Sequence, residues 1–228
     1  MSIKKHIPNT ITCCNLVSGC IATFFAFEEN YAMALLFIIV GAVFDFFDGM
    51  TARLLHVSSP IGKELDSLAD DITFGMAPSA IVFSYLSSAQ QFLPYLPFLA
   101  FVMAAFSALR LAKFNLDERQ ALGFIGLPTP ANALFWAALV VSLGDAISGI
   151  PYWPWLILAG TFVSCYLLVS EIPMFALKFK TWGWKGNEVK YVFLMTSILL
   201  LLVAGLAAVI AWYVVLSVIT NKLQPNHS

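Results

Sequence analysis

The chain has 228 residues, 60% of them hydrophobic and 11% charged, with a formal net charge of −1 and a mean hydropathy of +0.85. No soluble core hides that much apolar surface, so the composition excludes an ordinary globular protein and predicts an all-α, polytopic integral membrane bundle forming a single domain over residues 1–228. A near-neutral charge without a long basic tract gives no support to nucleic-acid binding.

In chain order, a short lead with Lys4 and Lys5 gives way at Pro8, Asn9 and Thr10 to a first span from about Ile11 to Phe27. Val17-Ser18-Gly19-Cys20 has the look of a lipoprotein cleavage box. The run before it carries Asn9, Thr10, Thr12 and Asn15, a poor signal core, and the N-terminus is expected to stay. Cys13, Cys14, Cys20 and Cys165 show no metal-ligand spacing and read as reduced apolar residues. Thr12 and Asn15 share one helix face, which suits hydrogen bonds to a neighbouring helix.

Glu28-Glu29-Asn30 turns the chain into a second span, Tyr31 to about Leu55, which carries Asp45, Asp48, Gly49, Ala52 and Arg53 near its end. Pro60 breaks it, and a third span starting near Gly62 bears Asp66 and Asp70 in its first turns and ends before Gln90 and Gln91. A fourth span opens at Pro94 to Pro97 and closes on Arg110, Lys113 and Asn115; a loop from Leu116 to Pro128 follows. The fifth covers about Thr129 to Leu143 and the sixth about Trp155 to Glu171.

The apolar run from Tyr191 to Ile219 is either one tilted helix of about 43 Å or a hairpin turning at Gly205. Hairpin arms of about 21 Å fall short of a ~30 Å bilayer core, so length favours one helix, whereas a hairpin would return Lys222 to the basic side. The total is seven or eight transmembrane helices. Lys4, Lys5, Arg53, Lys63, Arg110, Lys113, Arg119, Lys178, Lys180, Lys185 and Lys190 all fall on one side, while Glu28, Glu29 and Asp145 mark the other. The positive-inside rule makes the basic side, with its aspartates, cytoplasmic.

On helices, Asp45, Gly49 and Arg53 form one row with Asp48 and Ala52 beside it, and Gly62, Asp66 and Asp70 form a second such row. Two helices can therefore aim four carboxylates at one another. Ionised carboxylates that close repel, and must protonate, pair or bind cations. Hard oxygen donors without His or Cys point to Mg2+ or Mn2+, with Ca2+ also compatible. Gly49, Ala52 and Gly62 add no bulk and leave room for a ligand. Arg53 suits a phosphate, or a salt bridge to Asp45 or Asp48. Asp71 points about 100° away from Asp70 and is placed outside the site. An ion-coupled transporter whose acids line an ion path would carry them near the bilayer midplane rather than clustered at one end.

Asp45-x-x-Asp48-Gly49-x-x-Ala52-Arg53, eight residues, then Gly62-x-x-x-Asp66-x-x-x-Asp70 resembles the signature of the CDP-alcohol phosphotransferases, with all eight defining positions filled. The resemblance implies a six-helix core over about residues 8–175, a pair of divalent metals on Asp45, Asp48, Asp66 and Asp70, and Asp70 as general base. It further implies nucleotide contacts from Gly49, Ala52 and Arg53, a first helix lining the nucleotide site with its Asn and Thr, and a homodimer. Phe74-Gly-Met-Ala-Pro78, Arg110-Leu-Ala-Lys-Phe-Asn115 and Phe124-Ile-Gly-Leu-Pro128-Thr-Pro130 resemble the phosphatidylserine synthase branch, with Lys113 where that branch usually has Arg. That branch implies CDP-diacylglycerol and L-serine as substrates in a bacterial cytoplasmic membrane. A cation should then meet the serine carboxylate, and the candidates are Arg110 and Lys113, which otherwise read as membrane-edge anchors. Ser67 is either a pocket hydroxyl or a plain helix residue. Glycerol 3-phosphate and inositol are the rival acceptors within the family.

Overall fold

The computed structural model describes residues 6–57, 59–89, 94–117, 124–175, 183 and 187–223. Lys4, Lys5, Arg119, Lys178, Lys180 and Lys185, and with them much of the charge asymmetry, lie outside the described residues, as do Gln90 and Gln91.

Helices α1 (His6–Phe27) and α2 (Tyr31–Leu54) pack along their length. Asn30 caps α2 by accepting from the Met33 amide at 3.2 Å, which supplies a partner for an otherwise orphaned first-turn N–H. Ser59 does the same for α3 (Pro60–Asp70), accepting from the Gly62 amide at 3.0 Å, with Pro60 pre-set at the helix start.

The third pass continues through a π-helical segment, Asp71–Met76, into α4 (Ala77–Ser87). Pro78 causes the widening. It has no N–H for the Phe74 carbonyl and its ring crowds that group. The Ala77 amide instead bonds back to Ile72, and the Phe74 carbonyl accepts from the Ser107 hydroxyl at 3.5 Å. Helix α4 is buried almost throughout and forms the centre of the bundle.

A 3-10 segment, Leu96–Phe101, leads into α5 (Val102–Leu116), followed by α6 (Thr129–Ser148) and α7 (Trp153–Val169). Helix α6 runs past its expected end at Leu143, through Gly144, whose carbonyl accepts from Tyr85 of α4 at 2.7 Å. Trp136 of α6 donates to Ser164 of α7 at 2.9 Å, and Phe74, Ile81, Met103, Trp136 and Leu168 make up the middle of the core.

Two short strands were not foreseen. β1 (Phe124–Ile125), inside the expected loop, pairs antiparallel with β2 (Pro173–Met174). Gly126 follows with φ of 74°, and a Cβ there would lie 2.7 Å from the Leu168 carbonyl oxygen, so only glycine fits.

Helix α8 (Glu188–Leu223) decides between the two readings of the last apolar run. Its backbone breaks at Gly205, with φ of 78° and ψ of −177°. Trp212 donates to Thr196 at 2.9 Å across 16 residues, a separation that a continuous helix would stretch to about 24 Å. The Phe193 and Tyr213 rings also meet, with centroids 5.9 Å apart. The chain therefore folds back as a hairpin. The helical turns begin at Glu188 and end at Leu223, beyond the apolar run at both ends, so each arm reaches about 25 Å, close to the ~30 Å bilayer core. Four unbroken segments, α1, α2, Leu96–Leu116 and α6, are long and apolar enough to cross a membrane; with the composite α3–α4 segment, the shorter α7 and the two arms of α8, the described residues supply eight helical segments of an all-α membrane bundle.

Candidate active site

The end of α2 and the beginning of α3 meet against the first turns of α1. Asp45, Asp48 and Asp66 each bring a carboxylate oxygen within 4.8 Å of the others. Asp48 is buried, and the rest are half-buried. Asp70 stands one α3 turn beyond Asp66, outside that triplet. Helix α1 reaches both levels: Thr12 Oγ1 donates to Asp48 Oδ2 at 2.6 Å, and Asn15 Nδ2 donates to Asp70 Oδ1 at 3.0 Å. The two polar residues of the first span thus bond to the aspartates themselves.

A cleft of about 210 Å³ opens on Asp48 and Asp66 of the triplet, lined also by Gly49, Ala52 and Gly62 together with Thr12 and Lys63. A Cβ on Gly49 would meet nothing within 4 Å, so this glycine borders open space. Arg53 is exposed and does not line the cleft. Lys63 does, while its ammonium donates to the Asn115 carbonyl of α5 at 2.9 Å; Pro8, Asn9 and Ser59 also line it. The loop and helix-start residues were missed because the helical spacing that exposes the aspartates says nothing of segments outside those helices.

A second cleft, of about 370 Å³, lies between the end of α5, β1 and the end of α7. Arg110, Lys113, Asp117, Ser170 and Glu171 supply its charged and polar lining. Arg110 is only 7% exposed, its Nε has no hydrogen-bond partner, and its guanidinium stands 5.2 Å from the centroid of the Phe114 ring. It is also near enough to Asp70 for the two charges to interact. Lys113 is exposed. Ser67 lines neither cleft: its hydroxyl accepts from Asn115 at 2.7 Å and donates to the Lys63 carbonyl at 3.3 Å, tying α3 to α5. Asp71 opens the π-helical segment, and its buried Oδ1 turns toward Gly75 rather than the triplet.

The donor set fits a divalent cation. Three hard carboxylate oxygens lie within 4.8 Å of one another, a fourth carboxylate lies one turn on, and Gly49 leaves the approach clear. Like charges this close are stable together only with a cation or a proton to offset them.

Comparison with known proteins agrees with this arrangement. The family model described as CDP-alcohol phosphatidyltransferase matches residues 5–166, which include every aspartate of the site. The chain belongs to that family. Family members use divalent metals, in keeping with the carboxylate cluster. Among its relatives, the CDP-diacylglycerol–serine O-phosphatidyltransferase of Bacillus subtilis (strain 168) is 39% identical over 169 residues, 74% of this chain and 89% of the relative. The enzyme of that name from Helicobacter pylori (strain ATCC 700392 / 26695) is 36% identical over 129 residues, 56% of this chain and 54% of the relative. The one from Saccharomyces cerevisiae (strain ATCC 204508 / S288c) is 34% identical over 170 residues, 67% of this chain and 60% of the relative. The aligned part thus spans most of the first relative but only about half to three-fifths of the other two.

Proposed function

We propose that this chain transfers the phosphatidyl group of CDP-diacylglycerol to the hydroxyl of L-serine, giving phosphatidylserine and CMP. The observation that carries the reading is the convergence of Asp45, Asp48 and Asp66 beside an open cleft floored by Gly49; the names of the relatives support the choice of substrates.

Asp45, Asp48, Asp66 and Asp70 would hold two divalent ions, Mg2+ or Mn2+. When bound, such ions offset the charge of a pyrophosphate and of the departing nucleotide. The chain's own residues do the rest. Gly49 and Ala52 give the nucleotide a floor without side-chain bulk, and Arg53 lies one turn beyond Gly49 as a cation for it. Asp70 accepts the proton of the acceptor hydroxyl as its oxygen bonds to phosphorus and the bond to CMP breaks. Arg110, buried in the lining of the second cleft with an unused donor, would receive the serine carboxylate, with Lys113 nearer solvent. The site would face the cytoplasm of a bacterial membrane, the side on which the positive-inside rule puts Arg53, Lys63, Arg110 and Lys113. The homodimer implied by the family resemblance belongs to the same proposal.

The test is product analysis. Detergent-purified protein is given CDP-diacylglycerol and Mg2+ or Mn2+ with serine, glycerol 3-phosphate or inositol in separate reactions, and the lipid product is identified by mass spectrometry. Phosphatidylserine formed only with serine supports the reading. A different phospholipid would replace the acceptor, and no product with any acceptor would remove the reaction.

A further inference from the structure

Helix α1 grips the third pass through one residue at two points. The side chain of Asn15 donates to Asp70 Oδ1 at 3.0 Å, and its backbone carbonyl accepts from Thr73 Oγ1 at 3.0 Å. Asn15 and Thr73 have no exposed surface at all. A carboxylate only accepts, so the amide nitrogen faces Asp70 and the amide oxygen is left over. That oxygen is buried without a hydrogen-bond partner and lies 3.0 Å from where a Cβ on Gly41 would stand. Leucine would fill the same space without an orphaned acceptor, so packing does not account for an amide here.

Thr73 is fixed in turn. A Cβ on Gly19 of α1 would stand 2.7 Å from the Thr73 Cα and would also strike its hydroxyl, and a Cβ on Gly41 of α2 would stand 2.5 Å from its Cγ2. The two glycines let three helices close on this one threonine, inside the π-helical segment that follows Asp70. Asp70 is therefore registered to α1 by a side-chain bond and, one turn on, by a backbone bond.

Resting on the phosphatidyl-transfer reading above, we infer that Asn15 is a positioning residue for the base. Its amide occupies Asp70 Oδ1, which leaves Oδ2 as the oxygen for the acceptor hydroxyl and for any ion Asp70 holds, and Thr73 holds Asn15 in place. In the step, the acceptor O–H bond breaks and its proton passes to Oδ2. The alcohol oxygen bonds to the lipid phosphorus, the bond from that phosphorus to CMP breaks with its electron pair leaving on CMP, and Asp70 then gives the proton to water.

Asn15→Leu, Thr73→Val and Thr73→Ser test this in the full-length protein, with kcat and KM measured by CMP release and folding by thermal melting in detergent. Misplacement of a reacting group by an ångström costs up to about 100-fold. Asn15→Leu should therefore lower kcat about 30- to 100-fold while KM for CDP-diacylglycerol stays within about twofold and the melting temperature within a few degrees. Thr73→Val should lower kcat about fivefold, and Thr73→Ser, which keeps the hydroxyl, should retain most of it. A kcat for Asn15→Leu within about threefold of wild type, or a loss matched by equal changes in KM and melting, overturns the inference and leaves the reaction standing. If Asn15→Leu does not fold, equal kcat values for Thr73→Val and Thr73→Ser overturn it. A wild-type protein that releases no CMP overturns both the inference and the reaction.

Discussion

The two clefts are built in opposite ways. The acidic one takes its chemistry from α2 and α3, where every important side chain follows from helical spacing, and α1 adds two donors from a third helix. The larger one, lined by Arg110 and Lys113 and equally by Asp117 and Glu171, is assembled where the end of α5 meets a strand and the end of α7, elements brought together by a two-residue ladder. Under the proposed function, the site that would hold ions at fixed separations rests on rigid helices, whereas the one that would admit a small polar acceptor sits among element ends. Arg110 lines the second cleft and is the residue there whose charge interacts with Asp70.

The division can be broken at several points. The largest effect is expected at the acidic cleft: Asp66→Ala should reduce turnover by about 10³-fold or more, and a chelator should do the same to the wild type, reversibly on adding Mg2+ or Mn2+, both read by CMP release. Arg110→Ala should raise KM for serine about 10- to 100-fold, the scale of a lost charge-assisted hydrogen bond, with KM for CDP-diacylglycerol nearly unchanged; equal rises in both constants would merge the two clefts into one. Gly49→Leu, which fills open space beside Asp48, should act in reverse, raising KM for CDP-diacylglycerol about tenfold and sparing that for serine. The smallest effect is expected far from both clefts, where Trp212→Phe removes the bond to Thr196. It should cost about 0.5–1 kcal/mol of stability, read by thermal melting, with kcat intact.

The parts of the molecule that were legible are those governed by local repetition. Of the four carboxylates that the spacing aimed at one another, Asp45, Asp48 and Asp66 converge and Asp70 stands one turn beyond them, because period 3.6 decides which side chains share a helix face but not how far along it they meet. The first six passes likewise follow from hydrophobic length. The ladder of β1 with β2 was not legible, since two residues per strand leave no pattern, and the glycine that makes it possible, Gly126, has a role only against the carbonyls of α7. The π-helical segment left a local trace in Pro78 that passed unused. At α8 sequence left one helix and a hairpin at Gly205 both open; Gly205 takes a conformation closed to other residues, and the aromatic contacts that fix the hairpin are between residues twenty apart. Ser67 and Arg53 show the limit for single side chains. Their sequence positions could not reveal that one hydroxyl is committed to Asn115 or that the guanidinium is exposed beyond the cleft lining.

The central claim is that the carboxylates of α2 and α3 form a metal centre, and the most direct test is a Mn2+ titration of the purified protein followed by electron paramagnetic resonance. The account predicts saturable binding of two ions by the wild type in the presence of CDP-diacylglycerol and loss of that signal in Asp66→Ala. A wild type that binds no Mn2+, or an Asp66→Ala variant that binds it as well as the wild type, would contradict the account.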